Sequence, residues 1–266
     1  MSDAGGTHDL DGLLALAESA ARQAGRLALE GRRSATGLDQ TTKSSMTDIV
    51  TQYDRAAEEA IVELLLGARP EDAIIGEEGT DREGTSGYGW YVDPIDGTTN
   101  YVYDQPAWAT SVAVSYEGEM LAGAVYVPVT DELFSAALGR GATLNGVPIA
   151  VSGATVLAQA LVGTGFAYRA DIRREQASAV SNLIGVVRDI RRLGSAAVDL
   201  CYVAAGRLDV YYEEHLNSWD AAAGELIARE AGAVTSDYAG SHPRFGQLVA
   251  ATPAIHTAFL AALRNA

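Results

Sequence analysis

The segment Asp93-Pro94-Ile95-Asp96-Gly97-Thr98-Thr99-Asn100 places two carboxylates three residues apart, then a glycine and two threonines. Paired carboxylates suit a hard cation such as Mg²⁺, which takes oxygen ligands. The apolar run Trp90-Tyr91-Val92 leads into the segment as the end of a buried strand, and Gly97-Thr98 opens a helix. A strand end followed by a helix start leaves free backbone N–H groups, which suit a phosphate. Metal and phosphate would then meet within eight residues.

Other acids stand where they could join this pair. Glu77 and Glu78 follow the short apolar run Ala73-Ile74-Ile75 and Gly76, and Asp220 lies in Ser218-Trp219-Asp220 at a helix start. Each has an ordinary explanation alone. An Asp at a helix start caps it or complements its dipole, and Glu-Glu-Gly makes a solvated turn. Together they predict a metal site, because strand ends and helix starts converge at the sheet edge where α/β folds bind ligands.

Competing chemistries find no support. An aspartyl nucleophile of the haloacid dehalogenase kind needs two aspartates separated by one residue, whereas two residues separate Asp93 from Asp96. Cys201 sits within an apolar helical stretch and reads as core rather than thiolate. His8, His215, His242 and His256 lack the paired spacing of a zinc site. No Walker-type loop is present. Direct attack by a metal-activated water remains.

The elements that must position these residues fall into two parts. From Leu10 to Ala28 the apolar residues keep helical spacing, with Gly31 as a stop, and a second helix starts at Thr51 with a Thr51/Asp54 capping box. Between them Ser34 to Ser45 reads as a polar loop carrying Lys43. Strands follow at 73–75, 110–116, 120–127, 132–137 and 143–149, mostly antiparallel. From about residue 155 strands and helices alternate: strands at 157–163, 186–190, 208–212 and 248–251, helices at 172–184, 195–205 and 219–231, and a last helix from Thr252-Pro253. Such alternation implies a second sheet covered by helices. The expectation is one compact domain over 1–266, with an α+β part at about 9–150, an α/β part at about 151–266, and a flexible tail at 1–8.

The totals agree. A chain of 266 residues that is 48% hydrophobic can bury a large core. A net charge of −16 argues against nucleic acid and anionic membrane as partners. One cysteine permits no intrachain disulfide, which fits a cytoplasmic setting, and neither a secretory signal nor a membrane span is evident.

Four segments, in order, resemble the Mg²⁺-dependent, Li⁺-sensitive inositol monophosphatase family: Lys43 with Asp48-Ile49-Val50-Thr51, Gly76-Glu77-Glu78, Asp93 to Tyr101, and Ser218 to Glu225. The similarity runs from about residue 10 to 262. It implies the layered α-β-α-β-α sandwich shared with fructose-1,6-bisphosphatase. It implies a homodimer and two to three Mg²⁺ ions per active site. Glu77, Asp93 and the carbonyl of Ile95 would hold one ion, and Asp93, Asp96 and Asp220 the second. Thr98 would pair with Asp48 and polarise the attacking water. Gly97 and Thr98 would hold phosphate oxygens, with Lys43 beside them, and Glu213 and the backbone near Ala196 would meet the alcohol. The implied reaction is hydrolysis of a small polyol monophosphate, inositol 1-phosphate first, with histidinol phosphate or fructose 1,6-bisphosphate as alternatives. A regulatory protein that binds the transcription machinery is the non-enzyme alternative.

Overall fold

The structure, a computed structural model, describes residues 8–34, 38–43, 49–243 and 246–264. Helix α1 (Leu10–Ser34) leads the chain, and its buried face is built from Leu13 and small residues such as Ala17, Ala21 and Ala24. Small residues let it lie close to its sheet. A Cβ on Gly25 would fall 2.7 Å from the Tyr126 ring. Strands β1 (Gln40–Thr42) and β2 (Ile49–Thr51) pair antiparallel, and α2 (Gln52–Ala68) starts directly after them on the expected capping box.

The first sheet has seven strands: β3 (Ala73–Gly76), β4 (Tyr88–Asp96), β5 (Ala109–Tyr116), β6 (Glu119–Val127), β7 (Glu132–Ala137), β8 (Ala142–Leu144) and β9 (Val147–Ile149). They stand in sequence order, with β3–β4 parallel and the other pairs antiparallel. The short helix α3 (Thr98–Val102) follows β4. The rest of the chain supplies the second sheet and its helices: β10 (Leu161–Thr164), α4 (Ala170–Leu183), β11 (Asp189–Arg191), α5 (Ala196–Ala204), β12 (Val210–Glu214), α6 (Ser218–Glu230), β13 (Val234–Ser236), β14 (Gln247–Ala251) and α7 (Pro253–Arg264). Its five strands run in the order β11-β10-β12-β14-β13.

The layering that the family resemblance implies is found. Helix α1 packs on β5 and β6 and α2 on β4, while α6 covers the opposite face of the same strands. Helix α5 packs against α6 and rests on β10, β12 and β14, and α7 contacts β14 and α4. The order is therefore α-β-α-β-α. Strands β5 and β6, covered on both faces, are buried almost throughout instead of alternating. The middle layer is thin because Ala221-Ala222-Ala223-Gly224 is small. A Cβ on Gly123 would lie 3.0 Å from Ala223 Cα, and one on Gly224 would lie 2.8 Å from Leu200. One apolar cluster runs from Val125 and Phe134 of the first sheet through α5 and α6 to Tyr211 and Leu248 of the second.

The turn that the Asn145-Gly146 pair predicts within 143–149 is present, with both residues left-handed (φ 50° and 77°), and it separates β8 from β9. Several local expectations are corrected. The 157–163 strand begins only at Leu161, after a 3₁₀ turn at Leu157–Gln159. The 186–190 strand begins at Asp189. The 34–45 loop contains β1, and β13 was not expected. His8, assigned to the flexible tail, docks on Tyr88 and Tyr116, with its Nδ1 2.8 Å from the Tyr88 hydroxyl. Residues 1–7 lie outside the described residues. Among the described residues no helix is long and apolar enough to cross a membrane.

Strand β4, which carries the central motif, is anchored at its start by Asp72. This buried carboxylate accepts from Trp90 Nε1 (2.8 Å), Ser86 Oγ (2.7 Å) and Arg69. Asp72→Ala leaves the buried indole N–H unpaired. We expect it to lower stability by about 2 kcal/mol, measured as a lower urea midpoint at unchanged m.

Candidate active site

The geometry begins with an irregularity in β4. Asp93 pairs with Ser111 and Asp96 with Ala109, so three steps on β4 face two on β5. Residues three apart on a regular strand point to opposite faces. The extra residue at Pro94-Ile95 makes a bulge that re-aims the chain, and both Asp93 and Asp96 line one cavity. The bulge is held by Thr110 Oγ1, which donates to the Pro94 carbonyl (2.8 Å), and by Ile95 N, which donates to Asp93 Oδ1 (3.0 Å).

The cavity measures about 620 Å³ and takes residues from both sheets. Glu77, Asp93, Ile95, Asp96 and Asp220 line it. So do Lys43, Gly97, Thr98, Ala196 and Glu213. Asp48 lies outside the described residues.

Each side chain is placed by its own element. Glu77 leaves the end of β3, where its N–H donates to the Val92 carbonyl (3.2 Å). Lys43 Nζ donates to Glu77 Oε1 (2.9 Å) and to Glu78, so this cation is bound to two of the acids. Asp96 reaches the start of α5, accepting from Ser195 Oγ and Ala197 N, both at 2.6 Å. Asp220 stands in the first turn of α6 and accepts from Asn217 N (2.7 Å). Gly97 adopts φ 95°, and a Cβ there would crowd the Gly194 and Ala107 carbonyls at 3.0 and 3.2 Å. Glu213, near the end of β12, accepts from the Tyr211 hydroxyl (2.6 Å).

Burial raises the affinity of these carboxyls for protons. Asp93 is pushed well above the usual range by desolvation and then by the charges of Glu77, Asp96 and Asp220. Asp220 is raised well above it by desolvation and then by Asp96 and Glu77. Desolvation raises Asp96 to about 6, against the hydrogen bonds from Ser195 and Ala197. Glu77 is raised by desolvation, which Lys43 opposes. Glu213 rises to about 7, again through burial. Like charges facing one another in a dry site favour the neutral form unless a cation joins them.

The donor set fits a hard divalent ion: carboxylate oxygens and one carbonyl, with no soft ligand among them. Among the described residues, no three His, Cys, Asp or Glu side chains form a ready-made cage. The acids surround the cavity instead, and Glu77 is the first of the charges that raise Asp93.

Three features were not anticipated as parts of the site. Thr98 Oγ1 lies 3.2 Å from Asp54 Oδ1 and 3.2 Å from the Ile95 carbonyl. The described partner of Thr98 is thus the capping-box acid of α2, whose other oxygen accepts from Thr51 N and Oγ1. Asn100 Nδ2 donates to the Ala107 (2.5 Å) and Leu193 (2.7 Å) carbonyls, which ties the motif to the segment before α5. Asp199 of α5 also lines the cavity. The capping box was the only advance sign of Asp54. For Asp199 the sign was an acid inside an apolar helix.

A family model described as the inositol monophosphatase family matches residues 9–266. The chain belongs to the inositol monophosphatase family. That family is Mg²⁺-dependent in general, and membership supports phosphatase activity in general. Among relatives, the chain is 43% identical over 247 residues to the Nus factor SuhB of Pasteurella multocida, covering 91% of this chain and 92% of that one. The extragenic suppressor protein suhB of Bartonella henselae superposes with a TM-score of 0.91 at 35% identity, over 95% of this chain and 98% of that one. The inositol monophosphatase of Anabaena gives 0.86 at 33% identity, over 97% of both.

Proposed function

We propose that this protein is a Mg²⁺-dependent phosphomonoesterase acting on a small polyol monophosphate, with inositol 1-phosphate the favoured substrate. The observation that carries this reading is the bulge at Pro94-Ile95. It turns Asp93 and Asp96 into the cavity that Glu77 and Asp220 also line.

In this reading Glu77, Asp93, the Ile95 carbonyl, Asp96 and Asp220 hold the metal. Bound there, Mg²⁺ supplies neutralisation of the phosphate charge and a more acidic water. The protein's own groups do the rest. The Gly97 and Thr98 N–H groups hold phosphate oxygens at the start of α3. The Thr98 hydroxyl, fixed between Asp54 and the Ile95 carbonyl, orients the attacking water. Asp48, outside the described residues, is proposed as a further partner of Thr98. Lys43 balances Glu77 and Glu78 until substrate arrives. Glu213 accepts a hydrogen bond from a substrate hydroxyl, with the Ala196 backbone beside it. In-line displacement then depends on positioning and charge neutralisation.

A second reading has its own support: the relatives carry the name Nus factor, which fits a protein that binds the transcription machinery. A phosphate-release panel separates the two. We expect Mg²⁺-dependent, Li⁺-inhibited release from inositol 1-phosphate, lost with EDTA, and slower release from histidinol phosphate, fructose 1,6-bisphosphate and a 3′,5′-bisphosphonucleotide. Activity that survives EDTA refutes the metal role. Release confined to histidinol phosphate refutes the substrate choice. No release from any of the four leaves the regulatory reading.

A further inference from the structure

We propose that Asp199 recognises a hydroxyl group of the substrate alcohol, beside Glu213. The inference deepens the phosphatase reading and rests on it.

Asp199 is 1% exposed and lines the cavity, and its Oδ1 has no hydrogen-bond partner among the described residues. Buried polar atoms are paired as a rule, so an unpaired carboxyl oxygen in a cavity wall points to a missing partner. Trp219 Nε1, in the wall of the same cavity, is likewise buried and unpaired. Asp199 Oδ1 and Trp219 Nε1 therefore lie just beneath the cavity surface as an unmet acceptor and an unmet donor on residues that line it. A polyol carries hydroxyls that both donate and accept, and a modest turn of either side chain lets it satisfy both.

The space for Asp199 is made deliberately by backbone. A Cβ on Gly163 would lie 2.7 Å from Asp199 Oδ1, and a Cβ on Gly165 would lie 1.8 Å from Glu213 Oε2. Gly163 lies within β10, and Gly165, just past its end, lines the cavity. Each glycine leaves room for one carboxyl. One carboxyl rises from α5 beneath the sheet, and the other comes from β12 beside it, where Gly163 pairs with Tyr211. The result is a carboxyl pair on the second-sheet wall of the cavity, on elements other than those that carry Glu77 and Asp93.

Neither the phosphate-binding motif nor the metal ligands need Asp199. Burial, with the charges of Glu213 and Asp96, raises its carboxyl well above the usual range. A carboxyl that keeps its proton presents an O–H as well as a C=O to a hydroxyl.

The test compares inositol 1-phosphate with cyclohexyl phosphate, which has the same ring without the other hydroxyls. Full-length protein is assayed with Mg²⁺, and the readout is the ratio of kcat/KM for the two substrates. Asp199→Ala is expected to lower that ratio about tenfold, mostly through KM for inositol 1-phosphate. Asp199→Asn, which keeps a donor and an acceptor, is expected to restore most of it. A purely structural role would lower both substrates together and leave the ratio in place. Should the alanine variant fail to fold, Asp199→Leu fills the volume and carries the same comparison. A ratio less than threefold below wild type overturns the proposal, and a larger fall supports it. If the wild type releases phosphate from neither substrate, the polyol-monophosphate reading fails and this proposal with it. An unchanged ratio in an active enzyme overturns the Asp199 proposal alone.

Discussion

Replacing Asp93 by Asn is expected to cut phosphate release at least about a thousandfold at saturating Mg²⁺. Asp93 is the acid that faces all the others: Glu77, Asp96 and Asp220 each raise it. An ion held there draws on it more than on any single neighbour. Asparagine keeps the shape and removes the charge, so the bulge at Pro94-Ile95 survives while the ligand weakens. The same change relieves repulsion in the metal-free protein, which should become more stable. Two measurements follow, turnover and the melting temperature with and without Mg²⁺. A ligand that binds only the native state raises its melting temperature, so wild type should gain from Mg²⁺ and the variant should gain far less. Turnover within tenfold of wild type, or an equal Mg²⁺ gain in both proteins, would show that Asp93 is no central ligand.

The parts of this site differ in how far they could be seen without coordinates. The acids at 77, 93, 96 and 220 stand next to apolar runs and helix starts, and those local patterns are enough to place them at element ends. The bulge is another matter. It exists only in the pairing of β4 with β5, where Asp93 meets Ser111 and Asp96 meets Ala109, and register is a property of two strands. Asp54 was legible as half of a capping box because Thr51 is three residues away. Its second role depends on Thr98, 44 residues on, and no local spacing predicts such a pair. Gly163 reads from the sequence as the end of a strand, and the use of Gly163 and Gly165 shows only when the carboxyls of Asp199 and Glu213 are seen in the space their side chains would fill. Strands β1 and β13 are three residues each, too short for an alternation to register. Two sheets with covering helices were legible in the apolar periodicities, whereas the α-β-α-β-α order came with the family resemblance.

The metal-free protein is expected to lose stability as the pH rises from about 4 to about 7, opposite to the usual behaviour of a protein rich in stabilised carboxylates. The sign follows from the direction of the shifts. Desolvation raises Asp54 and Asp96 to about 6 and Glu213 to about 7. Between the ordinary carboxyl value and these raised ones, the native state holds protons that the unfolded chain has released. Stability then falls with pH. It is fully present below the unfolded value and is lost once the pH has passed the folded one. A carboxyl that moves from 3.8 to about 6, as Asp96 does, accounts for roughly 3 kcal/mol of that loss. Asp72 and Glu132 are lowered and act in the opposite sense, but a lowered carboxyl titrates below its ordinary value, so most of that effect falls at pH values under this window. A bound divalent ion changes the balance, because it makes the ionised form the favourable one. Melting temperatures at pH 5 and pH 8, in chelator and in excess Mg²⁺, test the pair of claims. In chelator the pH 8 value should be lower, and in Mg²⁺ the difference should shrink or reverse. A metal-free protein as stable at pH 8 as at pH 5 would mean that the acids around the cavity do not face one another unneutralised.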